Sequence, residues 1–342
     1  MPRLLICDGS RYYAARLRRV LEHDGDITVA AVCATAEEAI ATLPRVQPDV
    51  ITMDVELPGM DGLVAIEEIM SRRPLPIMVI SADAGHTSRK AAAALAAGAL
   101  DAISKGDLDL DDPGGAAAAA FRNRARLLSN AQVIRHPRAG LRKAPTSRRV
   151  GRRASVIGVC GSTGAPYVLA QLLGDLPAAY PIPILVVQHI SAGFTEGLVQ
   201  WLDQSVAVPV RMAADGTAAG PGAWIAPEGA HLKLAPSGRL RLDRRTVAGH
   251  HRPSGDVLLE SIAEVAADKG VAVVLTGMGS DGARGAGAVR RAGGLAIAQD
   301  QESSAVYGMP QAAIDCGAEL VLSPGEIAAF LIGLRYEPVA RI

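Results

Sequence analysis

The stretch that decides the fold is VAVVLTGMGSDGARGAG, Val271 to Gly287. An apolar, β-branched run enters a loop crowded with glycine, and a helix-like run follows from Ala283 through Arg291. A second apolar strand, Leu295 to Ala298, closes the unit and leads to Asp300. This is a βαβ pattern. Its loop reads Gly277-x-Gly279-x-x-Gly282, the spacing of a dinucleotide-binding fingerprint, with an acid about 20 residues further on. One residue fits badly. Asp281 lies inside the loop, where a pyrophosphate needs backbone N–H groups and no anion. The loop therefore either cradles a phosphate or presents Asp281 for another purpose.

Working outward, a chain of 342 residues has room for two domains, each able to bury a core. Aromatic residues make up only 3%, so the cores must be built from Ala, Val, Leu and Ile. The formal net charge is zero, which gives no global pull toward nucleic acid or an anionic membrane. Cys7, Cys33, Cys160 and Cys316 form no CxxC pair, and the first three fall in or at the end of apolar runs, as buried free thiols of a reducing compartment do. No apolar run is long enough to span a bilayer and the N-terminus has no signal-peptide core. A cytoplasmic protein without membrane insertion is expected.

Residues 1–126 alternate strand-like and amphipathic runs in five βα units, which predict a parallel five-stranded sheet with helices on both faces. Polar residues fall at the strand ends: Asp8, Asp54, Ser81 and Lys105. In open α/β sheets those ends converge on one crevice. Residues 127–153 then change character. Arg135–Arg153 carries seven Arg and one Lys with no acid, together with Pro and Gly, and shows no hydrophobic period. It reads as a basic linker. It has no aromatic residue to stack on a base, so no nucleic-acid partner is expected.

Residues 154–342 form the second domain. A strand Ser155–Cys160 runs into Gly161-Ser162-Thr163-Gly164, a strand Ile184–Gln188 ends at His189, and the opening unit supplies Asp281. Residues 208–247 read as short strands and turns, with Pro236-Ser237-Gly238 as a hairpin turn, and Ser254 starts a helix. Serine needs a base to become a nucleophile; imidazole serves near neutral pH, and a carboxylate fixes its tautomer. Parallel strand ends could bring the three together. The Ser162 loop does not match G-x-S-x-G, since Cys160 holds the first Gly position. His231, His250 and His251 compete with His189, and spacing does not choose among them.

Two resemblances cover almost the whole chain outside the linker. DVITMDVELPGMDGL, Asp49 to Leu63, resembles the phosphoacceptor strand and loop of a response-regulator receiver domain. The resemblance implies a flavodoxin-like fold, Asp54 as phosphoacceptor, Ser81 and Lys105 as site residues, and a histidine kinase as phosphodonor. It also implies a Mg²⁺ site made by Asp8, Asp54 and the Glu56 backbone carbonyl. Receivers usually open with an acidic pair, and here that pair is Asp8-Gly9; losing a carboxylate weakens a hard-cation site. Residues 154–342 resemble the catalytic domain of the chemotaxis-type protein-glutamate methylesterases, the CheB family. The matching stretches are Gly161–Gly164, Gln188-His189, His251–Ser254, LTGMGSDGARG (Leu275–Gly285) and AQDQESSAVYGMPQAA (Ala298–Ala313). This resemblance implies a doubly wound, mostly parallel α/β domain. It places the triad on Ser162, His189 and Asp281, and the oxyanion donors on the N–H groups near Thr163 and Met278. The implied substrate is a methylated chemoreceptor, with no cofactor needed, and the receiver would cover the cleft until phosphorylated. Two other readings are a non-catalytic chemosensory adaptor and a dinucleotide enzyme using the 277–282 loop.

Overall fold

The computed structural model describes residues 1–81, 85–131, 133, 151–246 and 251–338, with the side chains of 85–88 left out. Most of the basic linker and His250 lie outside the described residues. The chain divides into two compact units, residues 1–141 with 190–198 and residues 142–189 with 199–342.

The first unit runs β1 (Arg3–Cys7), α1 (Arg11–Leu21), β2 (Thr28–Cys33), α2 (Ala36–Val46), β3 (Val50–Asp54), α3 (Gly62–Arg72), β4 (Ile77–Ser81), α4 (Gly85–Ala96), β5 (Asp101–Ser104) and α5 (Ala116–Leu128). The strands pair in parallel in the order β2-β1-β3-β4-β5, the five-stranded sheet that the alternating pattern predicts. Strands β3 and β4 are buried at every position, which is why they read as continuous apolar runs rather than alternating ones. Helices start where short polar side chains cap them: Ser10 accepts from the Tyr13 N–H, and Thr35 from the Glu38 N–H. Asp54 and Ser81 are the last residues of their strands, so both point from the C-terminal edge of the sheet.

The second unit begins with β6 (Arg153–Ala154), β7 (Val156–Gly161), α6 (Ala165–Gly174) and β8 (Ile184–Gln188); α7 (Thr195–Ser205) follows, with its residues from 199 onward in this unit. Next come β9 (Val210–Met212), β10 (Ala223–Ile225) and the hairpin β11 (His231–Leu234) with β12 (Leu240–Asp243). The chain ends with α8 (Gly255–Ala266), β13 (Gly270–Val274), α9 (Ala283–Arg291), β14 (Leu295–Gln299), α10 (Gly308–Asp315), β15 (Leu320–Leu322), α11 (Pro324–Ile332) and β16 (Arg335–Tyr336). Seven strands form a sheet in the order β15-β14-β13-β7-β8-β10-β9, with every pair parallel. The hairpin β11–β12 is antiparallel and turns at Gly238, as the Pro-Ser-Gly signal predicts. The two-residue strands β6 and β16 pair with each other, a contact too short to leave a periodic signal in the sequence.

Chain order reverses where β7 lies beside β13. From β7 the chain builds outward through β8, and from β13 it builds the other way through β14. A crevice forms beyond the strand ends at such a switch point. Ser162 directly follows β7, His189 directly follows β8, and Asp281 lies in the loop between β13 and α9. Leu259, Ile262, Val274 and Leu185 are fully buried in the core under this edge.

Candidate active site

Ser162 is almost buried in the turn between β7 and α6. Its N–H donates to the Thr276 carbonyl at 3.1 Å, and its own carbonyl accepts from the Gln188 side chain at 2.8 Å. The turn is thereby tied to both neighbouring strands. Gly277 makes room for it. A Cβ on that residue would lie 2.7 Å from the Ser162 Cβ and 2.3 Å from the Met309 Sδ. Gly164 has φ +78°, the left-handed conformation that glycine adopts at little cost, just before α6.

His189 follows β8, and its Nε2 lies 2.9 Å from Asp281 Oδ2. Its Nδ1 is buried and has no hydrogen-bond partner among the described residues. Asp281 stays ionised beside it, so Nε2 carries the proton and Nδ1 the lone pair. The ring is thus presented in the opposite sense to the trypsin-like triad, where Nδ1 faces the carboxylate. The ring of His251 stacks on that of His189, with centroids 4.2 Å apart and an interplanar angle of 17°. One of the competing histidines is therefore a neighbour of His189. Another, His231, is fully buried and turns its Nε2 to the Thr246 carbonyl at 3.2 Å.

Asp281 is held by the start of α8. Ser254 Oγ donates to Oδ1 at 2.7 Å, the Asp256 N–H donates to Oδ1 at 3.0 Å, and the Gly255 N–H donates to Oδ2 at 2.6 Å. Burial alone would raise this carboxyl's pKa, but the bonds from His189, Asp256 and Gly255 outweigh it and hold the group far below the ordinary carboxylate range. The positive end of a helix adds to the same effect. The sequence marks Ser254 as the start of a helix; in the structure its hydroxyl also supports Asp281. The Ser-Gly-Asp start of α8 was the available signal, although its target lies 27 residues away in sequence. The N–H groups of Thr163 and Met278 donate to no acceptor among the described residues, and Thr163 is buried.

The first unit gathers Asp8, Asp54, Ser81 and Lys105 at the C-terminal sheet edge. Lys105 Nζ is 2.6 Å from Asp54 Oδ2 and 3.1 Å from Asp8 Oδ2, and it lies 4.4 Å from the centre of the Tyr13 ring. Burial raises the Asp8 pKa, against the Ser10 N–H and Lys105. Burial would lower that of Lys105, but Asp54 and Asp8 turn the shift upward. Ser81 Oγ is fully buried and has no hydrogen-bond partner among the described residues. The Glu56 N–H donates to Asp54 Oδ1 at 2.9 Å. Among the described residues no group of three His, Cys, Asp or Glu side chains converges as a metal site. Two carboxylates share one lysine, and Gly9 contributes nothing.

The four cysteines are free; Cys7, Cys33 and Cys160 are buried as expected, and Cys316 is exposed. Among the described residues no helix is long and apolar enough to cross a membrane.

Fold and geometry define a two-part protein: a receiver-type α/β unit, and a parallel α/β unit with Ser162, His189 and Asp281 in the segments that follow three adjacent strands. Comparison with known proteins places it more closely. Residues 157–331 match the family model for CheB methylesterase, and residues 4–110 match that for the response regulator receiver domain. The chain belongs to the CheB methylesterase family. It is 40% identical over 319 residues to protein-glutamate methylesterase/protein-glutamine glutaminase 3 of Myxococcus xanthus, covering 92% of this chain and 88% of that protein. It is 36% identical to the similarly named protein 3 of Paramagnetospirillum magneticum, covering 96% and 95%. The crystal structure of the Thermotoga maritima CheB methylesterase catalytic domain is 40% identical and covers 52% of this chain and 97% of that one, with a TM-score of 0.51.

Proposed function

We propose that this enzyme hydrolyses glutamate γ-methyl esters, and deamidates glutamines, on the cytoplasmic helices of chemoreceptors, through an acyl-enzyme on Ser162. The observation that carries the reading is the His189 Nε2–Asp281 Oδ2 bond at 2.9 Å beside an unpartnered, buried Nδ1. His189 Nδ1 takes the Ser162 proton as Oγ attacks the γ-carbonyl carbon. The oxygen gains negative charge, and the N–H groups of Thr163 and Met278 receive it. The tetrahedral adduct collapses, the C–OCH₃ bond breaks, and His189 returns its proton to the departing methoxide as methanol. An amide substrate releases ammonia by the same path. His189 then takes a proton from water, hydroxide attacks the acyl-serine, and glutamate leaves with Ser162 restored. Asp281 remains anionic throughout, holding the ring by its Nε2–H and stabilising the imidazolium.

The first unit is the input. Asp54 attacks the phosphorus of a phosphohistidine on a chemotaxis-type kinase, the P–N bond breaks, and an acyl phosphate forms. Lys105, already on Asp54, pairs with the phosphoryl oxygens, and the Ser81 hydroxyl, without a partner among the described residues, donates to one of them. A Mg²⁺ held by Asp8, Asp54 and the Glu56 carbonyl would add positive charge beside the phosphoryl group. With Gly9 in the second acid position and Lys105 bridging both carboxylates, that cation site is weak.

Methanol release from methylated receptor membranes tests the esterase. Ser162→Ala is expected to abolish it, and undiminished turnover in that variant would remove the triad assignment. A non-catalytic adaptor would bind receptor without releasing methanol.

A further inference from the structure

The hairpin β11–β12 and the segment after it carry Lys233, Arg239, Arg241, Arg244, Arg245 and Arg252, in a chain whose net charge is zero. Among the described residues two carboxylates pair with these cations. Asp243 pairs with Lys233 at 2.9 Å, and Asp215 with Arg241 at 3.5 Å. Asp243 is spent on its own turn as well, accepting from the N–H groups of Arg245 and Thr246 at 2.9 and 3.0 Å and from the Thr246 hydroxyl at 2.6 Å. Arg239 and Arg252 give guanidinium protons to backbone carbonyls, and among the described residues no ion pair to a carboxylate is seen for either. Arg244 and Arg245 are exposed, and among the described residues no carboxylate pairs with either. Arg241, Arg244 and Arg245 line one open groove of about 750 Å³ on this hairpin.

The groove is tied to the active site. Arg252 donates to the Arg244 carbonyl at 3.2 Å and to the Thr246 carbonyl at 3.0 Å. Its chain neighbour His251 stacks on His189 at 4.2 Å. The end of the hairpin that bears Arg244 and Arg245 is therefore fastened to the residue next to the catalytic ring. A large excess of positive charge at that place is a recognition feature for an anionic partner.

We propose that this basic hairpin is the docking surface for an acidic, glutamate-rich helix of the protein substrate, which it holds while one esterified glutamate enters the site. The substrate's identity rests on the esterase reading; the charge of the partner rests on the hairpin alone. The chemistry supports an acidic segment, because each turnover converts a neutral ester or amide into a carboxylate. The groove then binds the segment more tightly as hydrolysis proceeds, and neighbouring esters are brought to Ser162 without full release.

The test uses the full chain and the variants Arg244→Ala/Arg245→Ala and Arg244→Glu/Arg245→Glu. Both sites are exposed, and an unchanged melting temperature verifies folding. Binding of a fluorescent glutamate-rich peptide is followed by anisotropy at low and near-physiological salt. Methanol release is measured for a methyl ester embedded in that peptide and for the same ester in a neutral peptide. The alanine pair is expected to weaken binding and raise KM for the acidic ester roughly 3- to 10-fold, the effect of losing two exposed charge pairs, with kcat retained. The glutamate pair is expected to weaken both further, salt is expected to erase the difference, and the neutral ester is expected to be unaffected. Unchanged binding of the acidic peptide overturns the proposal. So does an equal loss on the neutral ester, or an oligonucleotide duplex that competes better than the peptide. If the wild-type chain binds the acidic peptide yet releases no methanol, the docking surface stands and the esterase reading fails.

Discussion

Ser254 serves both stability and catalysis in this site. Its hydroxyl donates to Asp281 at 2.7 Å, and the same oxygen accepts from the Val257 N–H at 3.5 Å as the cap of α8. Ser254→Ala removes both bonds. A hydrogen bond to a charged group contributes about 1.5–3 kcal/mol, which corresponds to roughly 10- to 150-fold in rate if it is felt wholly in the transition state. Asp281 keeps its bonds from Gly255, Asp256 and His189, so the loss falls at the lower end, about 10-fold in kcat. The cap bond is long and its loss costs about 0.5–1 kcal/mol, lowering the melting temperature by a few degrees. Ser254→Asp keeps a cap acceptor and removes the donor to Asp281. Aspartate still offers a cap acceptor, but a second buried carboxylate now faces Asp281, so both stability and kcat fall, kcat about 100-fold or more. Ser254→Thr keeps donor and acceptor and retains near-normal rate. Methanol release and thermal melts on the three variants decide the matter. A Ser254→Asp enzyme with wild-type kcat, or a Ser254→Ala enzyme that loses stability and no rate, would refute the assignment of Ser254 to the support of Asp281.

Gly277→Ala places its Cβ 2.7 Å from the Ser162 Cβ and 2.3 Å from the Met309 Sδ, so activity is expected to collapse. Gly279→Ala, with open space around it and φ +83°, costs about 1–2 kcal/mol of stability and leaves most of the activity; kcat and melting temperature on the pair check the contrast. Asp281 titrates far below its unfolded value, so the stability it contributes is complete above about pH 4 and is lost as pH falls toward the folded value. Urea midpoints between about pH 5 and 2 should therefore fall less steeply in Asp281→Asn than in the wild-type chain; identical slopes would count against it. In the receiver unit, a Cβ on Gly9 would meet the Pro58 Cδ at 3.1 Å. Gly9→Asp should raise Mg²⁺-dependent labelling of Asp54 by a small phosphodonor, more so when combined with Pro58→Ala, and equal labelling of all three proteins would show that the second acid is dispensable here.

Much of this architecture was legible because parallel sheets write themselves plainly. Strand Ile184–Gln188 runs over the span that the apolar pattern suggests, since strands buried on both faces leave unbroken β-branched runs, and helix Ala283–Arg291 covers the helix-like run after the glycine loop. The misfit of Asp281 with a phosphate loop was equally readable, and in the fold its carboxylate meets His189. What could not be read was everything that depends on how separate segments meet. Ser254 and Asp281 touch through the start of α8, and no local pattern encodes that contact. The choice of Nε2 over Nδ1 depends on the angle at which the chain leaves β8. The stacking of His251 on His189 joins two histidines that spacing treats as rivals. The edge strands β9 and β15, and β10 beside β9, are three residues each, too short for a period to show.

The central claim is a covalent one: Ser162 carries the glutamyl group between ester and acid. Rapid-quench mass spectrometry of the enzyme mixed with a glutamate methyl ester peptide tests it most directly. The account predicts a transient adduct on Ser162 with the mass of the peptide less methanol, formed as methanol appears and absent in Ser162→Ala. Methanol release without any adduct on Ser162, and undiminished in Ser162→Ala, would contradict it.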